Sequence, residues 1–424
     1  MSSPASDNYF RKGFGLGSDV RDELDSDYAN AVVDALRAAG DTLTVGDVTV
    51  RLAREFGFCY GVERAVEYAY QTRRKFPDRR IFLVGEIIHN PHVNGTLRRM
   101  GIEFLAPRSD ARDGEPRFEY SGIGTEDVVI LPAFGVTMAD FQALRGHGCI
   151  VVDTTCGSVL NVWKRVDGYA RDGLTALIHG KYYHEETRAT ASQVLKYPGG
   201  RYLVVRDMAE GEVVARYVEA LGAGAVTTAQ RAELLAKFAH AASPDFDPDR
   251  DLKRIGVANQ TTMLARESLA IGALVGDAME RGFGSSYRRD NFRTFDTICS
   301  ATQDRQDAVE ALLQEPLDAM IVIGGFNSSN TISLAALCAE RVPTYHVEDA
   351  EGIDPSTNAL HYRPAGVQHR EADAADWMPI GRPVRIGITA GASTPNSKIG
   401  DAVVRIFATR GLSLAPALAP EPRG

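Results

Sequence analysis

The chain has 424 residues, a net charge of −9, 44% hydrophobic residues and five cysteines. That length holds about two to four domains with sizeable cores. The acidic balance argues against a broad nucleic-acid or anionic-membrane surface, and no apolar run approaches the ~20 residues of a membrane span.

Residues 1–47 begin polar, at Ser2 to Ser6, and become helix-like from Asp27 to Ala39, where Ala31, Val32, Val33, Ala35 and Leu36 are apolar. They read as an N-terminal extension packed on the body. Met1 to Gly17 lacks the apolar core of a secretory signal and is short and poor in arginine, unlike a transit peptide. From Val48 a pattern starts: a short β-rich run, a polar or glycine-bearing turn, then a helix. Val48–Leu52 leads to Cys59, Ile81–Val84 to Glu86, His89 and Asn90, and Val128–Leu131 to Pro132-Ala133-Phe134-Gly135. A second round takes Ile150–Asp153 to Cys156, Ala176–Ile178 to His184, Glu185 and Glu186, and Ile255–Val257 to Asn259-Gln260-Thr261-Thr262, with Tyr202–Val205 as an extra strand. In a third, Phe295–Ile298 leads to Cys299, Met320–Ile323 to Asn327-Ser328-Ser329-Asn330 and Val384–Ile388 to Thr389-Ala390-Gly391-Ala392-Ser393, with Thr344–Val347 added.

Strands alternating with helices predict an α/β fold with mostly parallel sheets, in which ligands bind at the carboxyl ends of the strands. Three similar α/β domains are expected: 48–149 with Cys59, 150–294 with Cys156 and a helical insertion at 207–250, and 295–411 with Cys299. A loose Pro/Ala-rich tail at 412–424 follows.

Five widely spaced cysteines in so long a chain do not read as a disulfide framework but as reduced thiols in a cytoplasm. Cys59, Cys156 and Cys299 each fall in a turn between a strand and a helix N-terminus, where free N–H groups and the helix dipole favour the thiolate. Any one of them alone would be a buried core cysteine; their parallel settings point to a shared metal. Two sites suit three cysteines: an iron–sulfur cluster with one iron lacking a protein ligand, or zinc with an open position. Cys149, at the start of a strand, and Cys338, among Leu334, Ala335 and Leu337, read as core residues.

His89 and His184 stand at matching points of the first two rounds, and Ser328-Ser329-Asn330 takes that point in the third. Such donors at helix N-termini, with Ser393, make a diphosphate cradle, although Ser328 and Ser329 taken singly are an N-cap pair. Glu186 is the candidate acid, since a carboxyl shielded from water can hold a proton near neutral pH. Glu185 competes on spacing. Thr261 and Thr262 either orient a substrate hydroxyl or cap a helix.

These motifs resemble the 4-hydroxy-3-methylbut-2-enyl diphosphate reductases from about Val48 to about Phe407. They include Gly57-Phe58-Cys59-x-Gly61-Val62-x-Arg64-Ala65, Glu86-x-x-His89-Asn90, Asp153-x-Thr155-Cys156 and His179-Gly180-Lys181-x-x-His184-Glu185-Glu186-Thr187. Asn259-Gln260-Thr261-Thr262, Cys299-x-Ala301-Thr302-Gln303-x-Arg305-Gln306, Asn327-Ser328-Ser329-Asn330 and Thr389-Ala390-Gly391-Ala392-Ser393 complete the match. The extension, Cys59-Tyr60-Gly61, Pro132-Ala133-Phe134-Gly135 and His179-Gly180-Lys181 are similar to the plant and cyanobacterial branch, with a short, bacterial-looking N-terminus.

The resemblance implies a trefoil of three α/β domains around a 4Fe–4S cluster held by Cys59, Cys156 and Cys299, with the fourth iron open to the substrate's allylic hydroxyl. It implies diphosphate contacts from His89, His184, Ser328, Asn330 and Ser393, with Ser329 beside them, Glu186 as proton donor and Thr261 near the substrate alcohol. Two electrons from ferredoxin or flavodoxin and two protons would then give isopentenyl and dimethylallyl diphosphate. Phe134 stands where many bacterial members carry histidine. Gly157, Leu160 and Asn161 stand where the family usually has proline, threonine and lysine. Two other readings use the same residues: a non-redox lyase using the metal as a Lewis acid, and a non-catalytic iron–sulfur sensor that leaves Glu186 and Thr261 without a role.

Overall fold

The apolar runs become strands, and most are parallel because a helix carries the chain back between them. The computed structural model describes residues 8–111, 114–295, 297–367 and 370–414. The chain forms two compact units. The first comprises Met1–Phe14, Lys75–Ile87 and Arg98–Cys299; the second comprises Gly15–Arg74, Ile88–Leu97 and Ser300–Gly424.

In the first unit, Ile81–Val84, Val128–Leu131 and Ile150–Asp153 are buried along their whole length, as parallel strands covered on both faces are. With Tyr9–Phe10 and Ile102–Leu105 at the edges they form a five-stranded parallel sheet. A four-stranded parallel sheet in the same unit runs Phe292–Thr294, Ile255–Asn259, Thr175–His179, Tyr202–Val205. In the second unit, Thr344–Val347, Ala319–Ile323, Val384–Ala390 and Val48–Leu52 run parallel, with Thr42–Val45 antiparallel at the edge. A small antiparallel sheet, Ile353–Asp354, Ala359–Tyr362 and Ala372–Ala375, joins it in that unit. The expected α/β class with mostly parallel sheets is the observed one. No helix among the described residues is long and apolar enough to cross a membrane.

Strand pairing departs from the order in which the runs were read. The strand ahead of each of Cys59, Cys156 and Cys299 completes a sheet with strands of another round. Val48–Leu52, ahead of Cys59, pairs with Val384–Ala390. Ile150–Asp153, ahead of Cys156, pairs with Val128–Leu131. Phe292–Thr294, ahead of Cys299, pairs with Ile255–Asn259. Each cysteine therefore sits where the chain leaves a finished sheet for the next helix. The strand expected over Phe295–Ile298 lies earlier, at Phe292–Thr294. Thr297 has another use: its Oγ1 accepts from Asn259 N at 3.0 Å and donates to Asn259 Oδ1 at 2.6 Å.

The extension supplies the strand Tyr9–Phe10 and the helices Gly17–Tyr28 and Ala31–Ala38. Residues 207–250 contain the expected helices, Met208–Gly222, Thr228–Lys237 and the start of Pro248–Asp251. Asp207, Thr227 and Asp247 cap them, Thr227 with Gln230 in a reciprocal capping box. Leu414, within the stretch read as tail, is buried in the second unit's core; Ala415–Gly424 lies outside the described residues.

Two helices of the first unit approach closely through glycine. A Cβ on Gly222 would come within 2.3 Å of the Gly282 carbonyl carbon. Gly222→Ala is expected to destabilise the chain by about 1–3 kcal/mol, read as a lower denaturant midpoint at unchanged slope. Two buried histidines make the fold acid-sensitive. Burial lowers His179 and His346 from 6.5 to about 4. The unfolded chain takes up these protons below pH 6.5 and the folded chain resists them until about pH 4, so stability is full above 6.5 and declines through that window. The decline should reach on the order of 3 kcal/mol per histidine; a denaturant midpoint that does not move between pH 7 and pH 4.5 would contradict it.

Candidate functional site

All five cysteines are unbridged, and they fall into two kinds. Cys149 and Cys338 are buried in apolar clusters; burial pushes their thiols up to about 11 and about 12. Cys59, Cys156 and Cys299 are half-buried and each directly precedes a helix: Tyr60–Lys75, Gly157–Arg171 and Ser300–Leu312. Their backbone N–H groups donate to loop carbonyls: Cys59 to Ala392 at 3.3 Å, Cys156 to Ala133 at 2.9 Å and Cys299 to Thr261 at 3.5 Å. Each main chain is thus anchored behind a thiol at a helix start. Each of the three is a soft donor at a helix start, a setting that suits a thiolate ligand, while the other two cysteines are withdrawn into cores.

In the first unit the two candidate acids separate. Glu186 is 2% exposed whereas Glu185 is exposed. Thr261 N donates to Glu186 Oε1 at 2.6 Å, and the Thr261 carbonyl holds Cys299. The helix Ala265–Phe283 that follows has Leu264 at its N-cap position, and the Leu264 side chain makes no capping hydrogen bond. Gln260 ties the loops together: its Oε1 accepts from Lys181 N at 3.1 Å and Thr187 Oγ1 at 3.0 Å, and its Nε2 donates to Thr262 Oγ1 at 2.8 Å.

His184 caps the helix Glu185–Ser192, its Nδ1 accepting from Glu186 N at 3.1 Å. A neutral ring with Nδ1 as acceptor carries its proton on Nε2, so that nitrogen is the donor. Phe134 sets its ring edge against His184, 6.0 Å between centroids at 79°. Its loop is braced by Trp163, which donates to Thr190 Oγ1 at 3.1 Å and would meet any Cβ on Gly135 at 2.4 Å. After Cys156, a Cβ on Gly157 would meet nothing within 4 Å; the helix still starts there, with Leu160 N donating to Cys156 O at 3.0 Å.

In the second unit His89, Ser328 and Ser393, three of the candidate cradle residues, share one hydrogen-bonded patch. Ser393 Oγ lies 3.3 Å from both Ser328 Oγ and the His89 carbonyl. Ser328 also caps the helix Ser329–Ala339, so its N-cap role is present beside any other. Asn330, 2% exposed, takes Ala392 N on Oδ1 at 2.9 Å, while its Nδ2 has no partner among the described residues. The same segment therefore holds Asn330 through the Ala392 N–H and Cys59 through the Ala392 carbonyl. The Cys59 turn is also gripped by Arg305, a buried cation quoted within a motif above but given no role there. Its Nη2 donates to Gly57 O at 2.7 Å and Phe58 O at 3.1 Å. Gly57 adopts φ +71°, and a Cβ there would press on Thr394 O at 3.2 Å, which is why glycine stands there. A cavity of about 800 Å³ in this unit, lined by Arg21, Asp22, Asp25, Phe56, Phe58 and Glu63 among others, includes none of the predicted site residues.

The thiols separate chemically. Alkylation of the metal-free native chain at pH 8 is expected to label Cys59, Cys156 and Cys299 and spare Cys149 and Cys338, with all five labelled in denaturant. Mass spectrometry of the labelled peptides checks this; fast native labelling at Cys149 or Cys338 would contradict the burial argument.

Comparison with known proteins agrees with this layout. Residues 50–407 match the family model described as LytB protein. The 4-hydroxy-3-methylbut-2-enyl diphosphate reductase of Thermosynechococcus vestitus is 45% identical over 410 residues, 96% of each chain. That of Gloeobacter violaceus is 45% identical over 414 residues, 96% of this chain and 94% of the relative. A solved structure of the E-1-hydroxy-2-methyl-but-2-enyl-4-diphosphate reductase from Plasmodium falciparum has the same fold, with TM-score 0.57 at 20% identity over 84% of this chain and 87% of that one. The chain belongs to the LytB family.

Proposed function

We propose that this chain carries out the last step of the non-mevalonate isoprenoid pathway, the reductive dehydroxylation of (E)-4-hydroxy-3-methylbut-2-enyl diphosphate to isopentenyl and dimethylallyl diphosphate, in the cytoplasm. Family membership supports the substrate class. The observation that carries the chemistry is Glu186, a buried carboxyl held by the Thr261 N–H at 2.6 Å.

In this reading Cys59, Cys156 and Cys299 would hold a 4Fe–4S cluster, which would supply the two electrons of the reaction, received from ferredoxin or flavodoxin. The residues around it bind, orient and protonate. His184 presents its Nε2–H, His89 a second imidazole, and Asn330 its buried Nδ2–H₂ to the diphosphate. Ser328, Ser329 and Ser393 complete the cradle, a set of neutral or weakly charged donors suited to an anion without a basic protein surface. Thr261 orients the allylic hydroxyl, and Glu186 delivers the proton with which that oxygen leaves as water. The balance is one C–O bond broken, two electrons and two protons taken up, one water released.

Phe134 cannot donate to a phosphate. Its edge packing on His184 fixes the imidazole instead, so the ring reaches the ligand already oriented.

Glu186→Gln keeps the shape and the Thr261 N–H contact but loses the acid. It is expected to leave iron and sulfide per chain unchanged and to lower turnover by roughly 10²-fold or more. Unchanged turnover would remove the proton-donor role. Anaerobically purified wild-type chain without iron–sulfur absorbance, inert with reductant and substrate, would overturn the whole reading; turnover without any electron donor would favour a lyase.

A further inference from the structure

The N-terminal extension has no role in the chemistry above, yet its first described residues reach the loop that carries Cys156. Tyr9–Phe10 adds a parallel edge strand to Ile150–Asp153, Tyr9 opposite Val151 and Phe10 opposite Val152. Val151 N donates to Asn8 O at 2.8 Å, and Asn8 Nδ2 donates to Gly148 O at 3.2 Å. Side chains then close on Asp153, the last residue of that strand. The Tyr9 hydroxyl donates to Asp153 Oδ2, and Arg11 Nε lies 3.4 Å from the same oxygen. The other oxygen, Oδ1, accepts the N–H of Thr155 at 2.9 Å, one residue before the thiol.

Asp153 is 6% exposed. A buried carboxylate is tolerated when its charge and lone pairs are met, and here the extension meets one side of it while the Cys156 loop occupies the other. The Tyr9 ring is itself braced edge-on by Phe141, 5.8 Å between centroids. The chain beyond is pinned by Phe10 on Phe14 and Phe14 on Phe76. Burial, with the Asp153 charge second, pushes the Tyr9 phenol up, so it remains a donor. Without Tyr9 and Arg11, Asp153 would keep a buried charge satisfied by local N–H groups alone. Its easiest relief is to turn toward water, releasing Thr155.

We propose that Asn8–Arg11 is a positioning strap for Cys156: Tyr9 and Arg11 fix the Asp153 carboxylate, and the carboxylate fixes the backbone that presents the thiol. Tyr9 and Arg11 are positioning residues, acting on Cys156 only through Asp153. The consequence for a bound cluster rests on the reading given under Proposed function; the strap itself does not.

The test uses the full chain with Tyr9→Phe, which keeps the ring and the edge strand and removes one hydroxyl, and with Arg11→Met. Amide hydrogen exchange of the metal-free protein, followed in peptides spanning residues 150–160, is expected to speed up by about tenfold in Tyr9→Phe, the loss of one charge-assisted hydrogen bond. Arg11→Met should act in the same direction and more weakly, since Arg11 is half exposed. Exchange elsewhere in the first unit and the thermal midpoint should stay near wild type, which a general loss of stability would not allow. In the iron-loaded protein, release of iron to a ferrous chelator should accelerate in the same order. Unchanged exchange over 150–160 in both variants overturns the strap. If no form of the chain binds iron, the cluster reading falls and hydrogen exchange alone decides the strap. If Tyr9→Phe does not fold, the exchange of Arg11→Met decides it.

Discussion

Much of the candidate site depends on backbone N–H groups being spoken for. The cysteines that precede helices keep their main chain in place by donating to carbonyls of other loops, and their thiols are half-buried. A thiol on a mobile loop would be a weak ligand, because ordering the loop would offset the bond gained. Here the ordering is done in advance by groups that cannot titrate. The same economy recurs at Glu186, held by the Thr261 N–H, and at Asn330, held by the Ala392 N–H. In both of these cases the residue whose N–H holds the side chain also holds a cysteine through its carbonyl. Glu186 and Cys299 share Thr261, and Asn330 and Cys59 share Ala392.

This sharing explains why the neighbouring side chains are so restricted. Gln260 has a donor and an acceptor in one planar group, and it uses both to join Lys181, Thr187 of the helix Glu185–Ser192 and Thr262. Glutamate would lose the donor and leucine both. Arg305 uses several fork positions on carbonyls of one turn and its own helix, a geometry lysine's point charge does not match. Trp163 and Gly135 are matched by volume, since the indole occupies the space a Cβ would need.

Strands such as Ile81–Val84 and Val128–Leu131 were legible because a parallel strand buried on both faces is a continuous apolar run. The choice between Glu185 and Glu186 was not legible from spacing, since both fit a helix first turn; burial separates them. Arg305 could be quoted inside a motif but given no task, because the carbonyls it holds lie far back in the chain at Gly57 and Phe58. The strand ahead of Cys299 lies earlier than its composition suggests, because Phe295 to Ile298 is as apolar and β-branched as Phe292–Thr294, and only the ladder with Ile255–Val257 sets the register. Tyr9 and Arg11 gave no signal, since a two-residue edge strand has no periodicity and its partner carboxylate is remote in sequence.

The pairing of Val48–Leu52 with Val384–Ala390 has a consequence for how the chain matures on the ribosome. Synthesis runs from the N-terminus, and local structure forms as it emerges. Val48–Leu52 gains its antiparallel neighbour Thr42–Val45 at once, but its parallel neighbour is among the last strands made. The Ala392 carbonyl that anchors Cys59 comes later still. The first cysteine to leave the ribosome is therefore the last to acquire its mount, and for nearly the whole of translation it is a thiol on an unfinished sheet. Any chemistry that needs the Cys59 turn in place has to wait until the nascent chain is nearly complete.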